Sequence, residues 1–508
     1  MRPVRLLLVP LASLGLMAGA LVGVTTPAAT AAPGDRGTIT WHDCDPDKDR
    51  EGFECGTLTV PLDWDDLDNP ANAEIELVIH RATSDRRIGA FTFNPGGPSE
   101  SGLSFATEIL GELPAKVRNR FDFVAWDPRG VGLSQPQLSG CAEGAALSMM
   151  TYERPPTGPV DWMAFAASTY DAYEQLLSAC LEANLDVAPY LGTYYVIRDL
   201  DAMRAALGEE QWNFWGMSYG TRIGYRYARE FPDRLRTLLL DGAWSPNMTV
   251  TSWMNGQTWN YGTAQAVFSS QFGEKMGYRL QRVIDGLDER TISIDGKTHT
   301  RWDLLPQIFD NISYNIDYPQ ILGVITATYE ALYAPTAKKR RAAARSIAES
   351  LKNLQADDAD DGLDLMTFAF VNCRDLADYP TPEEIGRTAA IAAANNSVAA
   401  GWQAIRKGAS CAGLSQEDFT YGYTPLTESL RLPIKPVVIN SLGDTRTEYK
   451  FGRTMANSLW GSSLITYDGT QHVTYKATPS TCVNNPVTNY FLYRTAPGSL
   501  LCPYAPRP

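Results

Sequence analysis

Histidine is scarce in this chain: four occur among 508 residues, His42, His80, His299 and His472. Any mechanism that needs an imidazole base therefore has few candidates, and each can be tried in turn. No Cys-x-x-Cys pair occurs, and Cys44 has only His42 nearby, so the spacing of a zinc site is missing and no metal is expected. Basic residues are outnumbered, 44 Lys and Arg against 58 Asp and Glu, for a formal charge of −14. Phosphate binding needs a basic stripe that releases counterions, so nucleic acid is excluded as a partner class. Peripheral attachment to an anionic membrane is disfavoured for the same reason. Beyond residue 32 no segment holds the roughly 18 consecutive apolar residues of a membrane span, so the mature chain is not expected to enter the bilayer.

What is present is an ordinary globular composition, 44% hydrophobic and 20% charged. Residues 1–32 read as an export signal: Arg2 and Arg5, an apolar run from Leu6 to Val24, then the small residues Ala29-Thr30-Ala31. Cleavage is expected near Ala31 or Ala32. No adjacent Arg pair precedes the run, which points to the general secretory route. Losing the two Arg takes the charge from −14 to −16. Export also gives the eight cysteines a role, because an even number in an oxidising compartment reads as a disulfide set. Nearest-neighbour pairing gives Cys44–Cys55, Cys141–Cys180, Cys373–Cys411 and Cys482–Cys502. Each bridge would contribute about 2–4 kcal/mol.

Cys55–Leu62 and Glu74–His80 alternate with the period of two expected of half-buried strands. Six short apolar runs then follow, each ending in a Gly- or Asp-rich turn: Ala90–Phe93, Phe121–Trp126, Trp212–Trp215, Thr237–Leu240, Pro436–Asn440 and Leu464–Tyr467. Buried strands feeding helices through short loops predict an α/β fold with a mostly parallel central sheet. The rhythm stops between residues 246 and 430, where Thr263–Leu287, Tyr318–Leu332, Thr336–Leu354 and Pro382–Lys407 have helical patterns. We read the chain as a signal (1–32), a first core part (33–245), a mainly helical cap insertion (246–430) and a C-terminal core part (431–508). Within the insertion, Lys338–Arg345 reads as a solvated basic helix face. Asp357–Asp364 resembles a calcium loop but fails it, with Ala359 at the third ligand position and Phe368 at the twelfth.

Gly216-Met217-Ser218-Tyr219-Gly220 is a G-x-S-x-G sequence between an apolar run and a helix-compatible stretch, the context of a nucleophile elbow. A Ser hydroxyl needs a base to take its proton, and in this arrangement an acid and then a His follow the Ser. His299 falls among polar residues of the insertion, and the two earlier His precede the elbow, which leaves His472 as base. The acid is expected after the preceding strand, at Asp444, with Asp468 as the alternative on the His loop itself. Backbone N–H donors for the oxyanion are expected at Tyr219, after the nucleophile, and at Gly97 in Asn94-Pro95-Gly96-Gly97-Pro98.

Taken in order, NPGGPSESG, FDFVAWDPRGVGLSQP, WGMSYGTRIG, SLGDTRT and GTQHVTY resemble the secreted tripeptidyl aminopeptidases of the α/β-hydrolase fold, relatives of the prolyl aminopeptidases, over roughly residues 40–505. The resemblance implies Ser218 as nucleophile, Asp444 as orienting acid and His472 as base, with no cofactor. Its departures are Ser99 where a further Gly is usual, Thr445-Arg446-Thr447 in place of a Thr-Pro ending, and Gln471 before the His. It further implies a secreted serine exopeptidase that releases short peptides, tripeptides above all, from substrates with a free N-terminus. Such an enzyme must pair the substrate ammonium with a carboxylate, and Asp375 is the candidate; pairing of Asp375 with a nearby basic group is the alternative. A secreted carboxylesterase would use the same triad, and a non-catalytic binding protein would not need to keep it.

Overall fold

Short apolar runs separated by Gly- and Asp-rich turns build the centre of the molecule. The computed structural model describes residues 37–45, 50–141, 149–314, 318–355, 364–415 and 429–506. In chain order the strands are β1 Thr38–His42, β2 Glu54–Pro61, β3 Asn72–His80, β4 Gly89–Asn94, β5 Phe121–Trp126, β6 Trp212–Met217, β7 Leu235–Asp241, β8 Ile292–Ile294, β9 Lys297–His299, β10 Val437–Ser441, β11 Ser463–Tyr467 and β12 Leu500–Cys502. All but β8 and β9 join one sheet in the order β1-β2-β3-β5-β4-β6-β7-β10-β11-β12. The pairs β1–β2, β2–β3 and β3–β5 are antiparallel. From β5 through β4 to β12 every neighbour is parallel.

This division follows from the side chains. Every residue of β4, β5 and β6 is buried, as strands covered on both faces must be, whereas β2 alternates between buried and part-exposed. Eight strands are those read from the sequence, displaced by at most two residues at an end. The others, β1, the β8–β9 hairpin and β12, are five residues or fewer, too short to carry a period. On one face Val124, Trp126, Phe214, Leu238 and Val438 pack with helices Trp162–Ala183, Thr193–Ala206 and Gly220–Glu230. On the other, Phe91, Phe93, Phe123, Trp215 and Ile439 pack with helices Ala106–Glu112 and Thr481–Tyr493. The result is the layered α/β-hydrolase fold.

Between β7 and β10 the chain is mainly helical. Two long helices expected there are each broken in two. Gly273, at φ +85°, ends Asn260–Phe272 and starts Glu274–Glu289. Asn396, at φ −149° and ψ −74°, ends Pro382–Asn395 just before Val398–Ala409. A break of one or two residues leaves the apolar period legible across it, so sequence alone joins the two segments. The basic residues of Lys338–Arg345 are exposed on helix Ala337–Gln355, whose Ala343 and Ala344 face inward. Of the acidic run, residues 357–363 lie outside the described residues, as does the expected signal; Asp364 accepts Met366 N–H at 2.8 Å and Thr367 N–H at 3.1 Å to cap helix Leu365–Asp375.

The insertion has a core of its own, with Phe268, Leu280, Leu305, Ile308, Ile325 and Ile405. Helices tie the two cores together, among them Val250–Gly256, with Trp253 in the sheet's core and Met254 in the insertion's. Trp162–Ala183 sends Phe165 into the insertion's core, stacked on Trp402 at 5.1 Å, and Leu176 and Leu177 into the sheet's. Helix Leu365–Asp375 lies within the insertion by sequence, yet it packs Met366, Phe370 and Val371 against the sheet. Chain position and packing therefore divide the molecule differently, and the insertion is stitched to the site through that helix. The cysteines pair as Cys44–Cys55, Cys141–Cys180, Cys373–Cys411 and Cys482–Cys502, and none is free. Full pairing fits an oxidising, extracytoplasmic compartment. Among the described residues no helix is long and apolar enough to cross a membrane, and no group of three His, Cys, Asp or Glu could hold a metal.

Candidate active site

β6 turns into helix Gly220–Glu230 at Ser218, whose φ of +51° is a left-handed conformation that non-Gly residues seldom adopt. The flanking glycines are steric requirements. A Cβ on Gly216 would lie 2.3 Å from the Gly220 carbonyl oxygen, and one on Gly220 would lie 2.5 Å from that of Asn94. Ser218 N–H donates to the Asp241 carbonyl at 2.9 Å, fixing the elbow to the end of β7.

The loop after β4 closes over the elbow. Gly96, at φ +119°, leaves space where a Cβ would stand 2.9 Å from Ser218 Cβ and 3.3 Å from Tyr219 N. The expected donor is Gly97; the glycine pressed against the nucleophile is Gly96, and Gly97, next in the chain, takes a φ of +91°. The loop is held from below by Asp127, which accepts Ser101 Oγ at 2.7 Å, Leu103 N–H at 3.1 Å and Leu133 N–H at 2.9 Å. Burial pushes the Asp127 carboxyl above its ordinary range, against the pull of these donors.

Asp444 and His472 meet across the loops after β10 and β11: Nδ1 of His472 lies 2.8 Å from Oδ2 of Asp444. Both are buried. Oδ2 of Asp444 also accepts Thr447 Oγ1 at 2.9 Å, and Oδ1 accepts Arg446 N–H at 2.7 Å and Thr447 N–H at 3.0 Å. The carboxylate is thus fixed on both oxygens, with one direction left for the imidazole. Asp468, the alternative acid, lies in the turn after β11 and uses its N–H on the Cys502 carbonyl at 2.8 Å. His299 sits on β9 in the insertion. A Cβ on Gly242 would come within 3.1 Å of the imidazole, so the ring packs on the backbone that follows β7.

Asp241 escaped the sequence reading, because an apolar strand ending in Asp-Gly looks like an ordinary turn. Its carboxylate accepts Thr474 N–H at 2.9 Å and Tyr475 N–H at 2.8 Å, so it grips the His472 loop while its carbonyl grips Ser218. Burial pushes its carboxyl up to about 7, with the two N–H donors pulling the other way. The folded state therefore holds a proton that the unfolded chain releases near pH 3.8. Its contribution is fully present below that pH and is lost as pH rises towards 7. For Asp241→Asn, the Tm difference from the parent is expected to drift across this window, the parent losing ground as pH rises; calorimetry showing a constant difference would mean a carboxylate ionised throughout.

Asp375, expected as the receptor for a substrate ammonium, is committed elsewhere. It is 6% exposed. Its Oδ1 accepts Thr193 N–H at 3.1 Å; its Oδ2 accepts Tyr219 OH at 2.7 Å, Arg222 Nε at 3.1 Å and the Thr193 hydroxyl. Four donors leave a small carboxylate nothing for a ligand, and the pairing with a basic neighbour is the arrangement found. Burial first, and then the Asp375 charge, hold the Tyr219 phenol well above its usual range, so it stays a donor. At the far side of the acid loop, burial lowers the Lys407 amine to about 7 while Glu448 opposes the shift.

A polarisable hydroxyl at a strained elbow, an imidazole fixed by a carboxylate and a glycine-lined cradle are the parts of acyl transfer through a serine. Comparison with known proteins agrees. A family model described as alpha/beta hydrolase fold matches residues 89–339, and one described as TAP-like protein matches residues 396–501. Serine protease Hip1 of Mycobacterium tuberculosis is 30% identical over 483 residues, 88% of this chain and 86% of that protein. Tripeptidyl aminopeptidase of Streptomyces lividans is 34% identical over 228 residues, 43% of this chain and 41% of that protein. Carboxylesterase B of M. tuberculosis is 28% identical over 532 aligned positions, 97% of this chain and 95% of that protein. The chain is a serine hydrolase and belongs to the α/β-hydrolase family, in its TAP-like group.

Proposed function

We propose that this protein is a secreted serine exopeptidase that releases short peptides, tripeptides above all, from substrates with a free N-terminus. The observation that carries the reading is the Asp444–His472 pair, 2.8 Å apart, packed on the backbone beside the Ser218 elbow. Similarity to proteins named as a serine protease and a tripeptidyl aminopeptidase supports peptide over other acyl substrates.

In this reading Ser218 Oγ attacks the scissile carbonyl as its proton passes to Nε2 of His472. Asp444 holds the Nδ1–H tautomer and stabilises the imidazolium. The oxyanion is met by the N–H groups of Tyr219 and Gly97. As the tetrahedral intermediate collapses, the C–N bond breaks and the imidazolium gives its proton to the leaving amine. Water then attacks the acyl-enzyme with His472 as base, releasing the N-terminal fragment and restoring Ser218.

A carboxylesterase is the second reading, favoured by the likeness to carboxylesterase B along nearly the whole chain. Tripeptidyl anilides separate the two. The purified protein is expected to cleave those with a free amine, to lose that turnover when the amine is acylated, and to lose it entirely as Ser218→Ala. Hydrolysis of short-chain esters with no release of peptide fragments would overturn the exopeptidase reading in favour of the esterase.

A further inference from the structure

The loops that carry Asp444 and His472 belong to the sheet, yet both are held by one helix of the insertion. Helix Arg301–Tyr314 ends with its C-terminal turn against them. The Ser313 carbonyl accepts the N–H of His472 itself at 2.7 Å. The Ser313 hydroxyl accepts Thr445 N–H at 3.1 Å and shares a second hydrogen bond with Thr445 Oγ1. One residue earlier, the Ile312 carbonyl accepts Thr470 Oγ1 at 2.8 Å. Two residues further back, Asp310 pairs with Arg446 at 3.1 Å. From a second helix, Asn260 Nδ2 donates to the Thr445 carbonyl at 2.6 Å. Ser313 and Thr445 are buried.

Physically, a helix C-terminus presents carbonyls that have no partner within the helix. Here those of residues 312 and 313 are spent on the base loop, while the Ser313 hydroxyl is spent on the acid loop. The two loops also meet directly, through the Asp444–Thr447–His472 contact, through Gly443 N–H on the Gly469 carbonyl at 2.9 Å and through the Ser441 hydroxyl on the Gln471 carbonyl, and each is a short connection after a strand. The helix end spans them, so any displacement of the insertion alters the distance and angle at which carboxylate meets imidazole. Errors of that kind are costly, since a shift of about 1 Å from a remote change can lower the rate about a hundredfold.

We propose that Ser313 is a positioning residue for the catalytic pair, and that helix Arg301–Tyr314 makes the activity of the triad conditional on the seating of the insertion. The inference rests on the reading of Ser218, Asp444 and His472 as the triad. It does not depend on which acyl group is transferred.

Ser313→Ala removes the hydroxyl and keeps the carbonyl, so the base loop stays anchored while the acid loop loses a donor–acceptor pair. Thr445→Val removes the opposite partner, and Thr445→Ser retains it. Each is assayed with a small p-nitrophenyl ester and with a free tripeptidyl anilide; labelling of Ser218 by an aryl fluorophosphonate gives a third rate. For Ser313→Ala and Thr445→Val, kcat on both substrates and the labelling rate are expected to fall together by about tenfold to about a hundredfold, with KM unchanged. The double variant should be no worse than the worse single one, and Thr445→Ser should recover most of the loss. An unchanged kcat on the ester with a raised KM for the anilide alone would overturn the proposal, making Ser313 part of a substrate wall. Losses matching the unfolded fraction measured by circular dichroism would overturn it as well. Activity surviving in Ser218→Ala is a different result, and it removes the triad reading itself.

Discussion

Asp444→Asn is expected to lower kcat by about 10,000-fold while leaving the fold intact. The size of the loss follows from what surrounds the carboxylate. Oδ1 receives two backbone N–H groups, from Arg446 and Thr447, so the amide oxygen of an Asn is drawn to that side. The amide nitrogen then occupies the place of Oδ2, facing Nδ1 of His472 and Thr447 Oγ1. An NH2 in that place donates, so the imidazole must accept at Nδ1 and carry its proton on Nε2. A ring in that tautomer cannot take a proton from Ser218. Fluorophosphonate labelling of Ser218 should fall in parallel with kcat, and Tm should move little because the hydrogen bonds to the backbone survive. Retention of more than about a tenth of the activity would mean that another carboxylate can orient the base, and Asp241, which holds the His472 loop through Thr474 N–H and Tyr475 N–H, would be the first to test.

Much of this site could be read from sequence because its parts obey local rules. Ser218 needs small neighbours on a strained turn, and the glycines that supply them stand two residues away on either side. His472 was reachable because the alternatives were few. The strands were legible because burial on both faces makes them uniformly apolar. What escaped is non-local. Asp241 acts through backbone groups more than 230 positions further along the chain, at Thr474 and Tyr475. Ser313 meets its partners through a helix whose sequence, with Pro306 inside it, gives no clean period. The departures from the family pattern gain a meaning only in three dimensions. Ser99 donates its hydroxyl to the Asp364 carbonyl at 2.8 Å, and Arg446 pairs with Asp310. These two replacements face the insertion and fasten it to the site.

Asp375 shows the same lesson from the other side, and its replacement is the second large effect. Asp375→Asn is expected to destabilise the protein by about 3–5 kcal/mol, the cost of leaving a buried guanidinium without its partner. Arg222 is 4% exposed and its Nη1 lacks a hydrogen bond; its Nη2 would keep the Asp375 backbone carbonyl as acceptor, but a neutral carbonyl does not offset the charge as the carboxylate does. An Asn would also set an NH2 against the donors Tyr219, Thr193 and Arg222 now converging on Oδ2. Urea denaturation measures the loss. Replacing both charges, as Arg222→Met with Asp375→Leu, should recover most of it, since well-packed apolar side chains often match a buried ion pair. The functional consequence is specific. Tyr219 is the proposed oxyanion donor and is tied to Asp375 through its phenol, so kcat should fall for every substrate alike. The preference for a free over a blocked N-terminus should not change. If Asp375→Asn instead left stability intact and raised KM only for substrates with a free amine, the carboxylate would be meeting the substrate ammonium after all. Four donors within hydrogen-bonding distance of its two oxygens are the reason to expect otherwise.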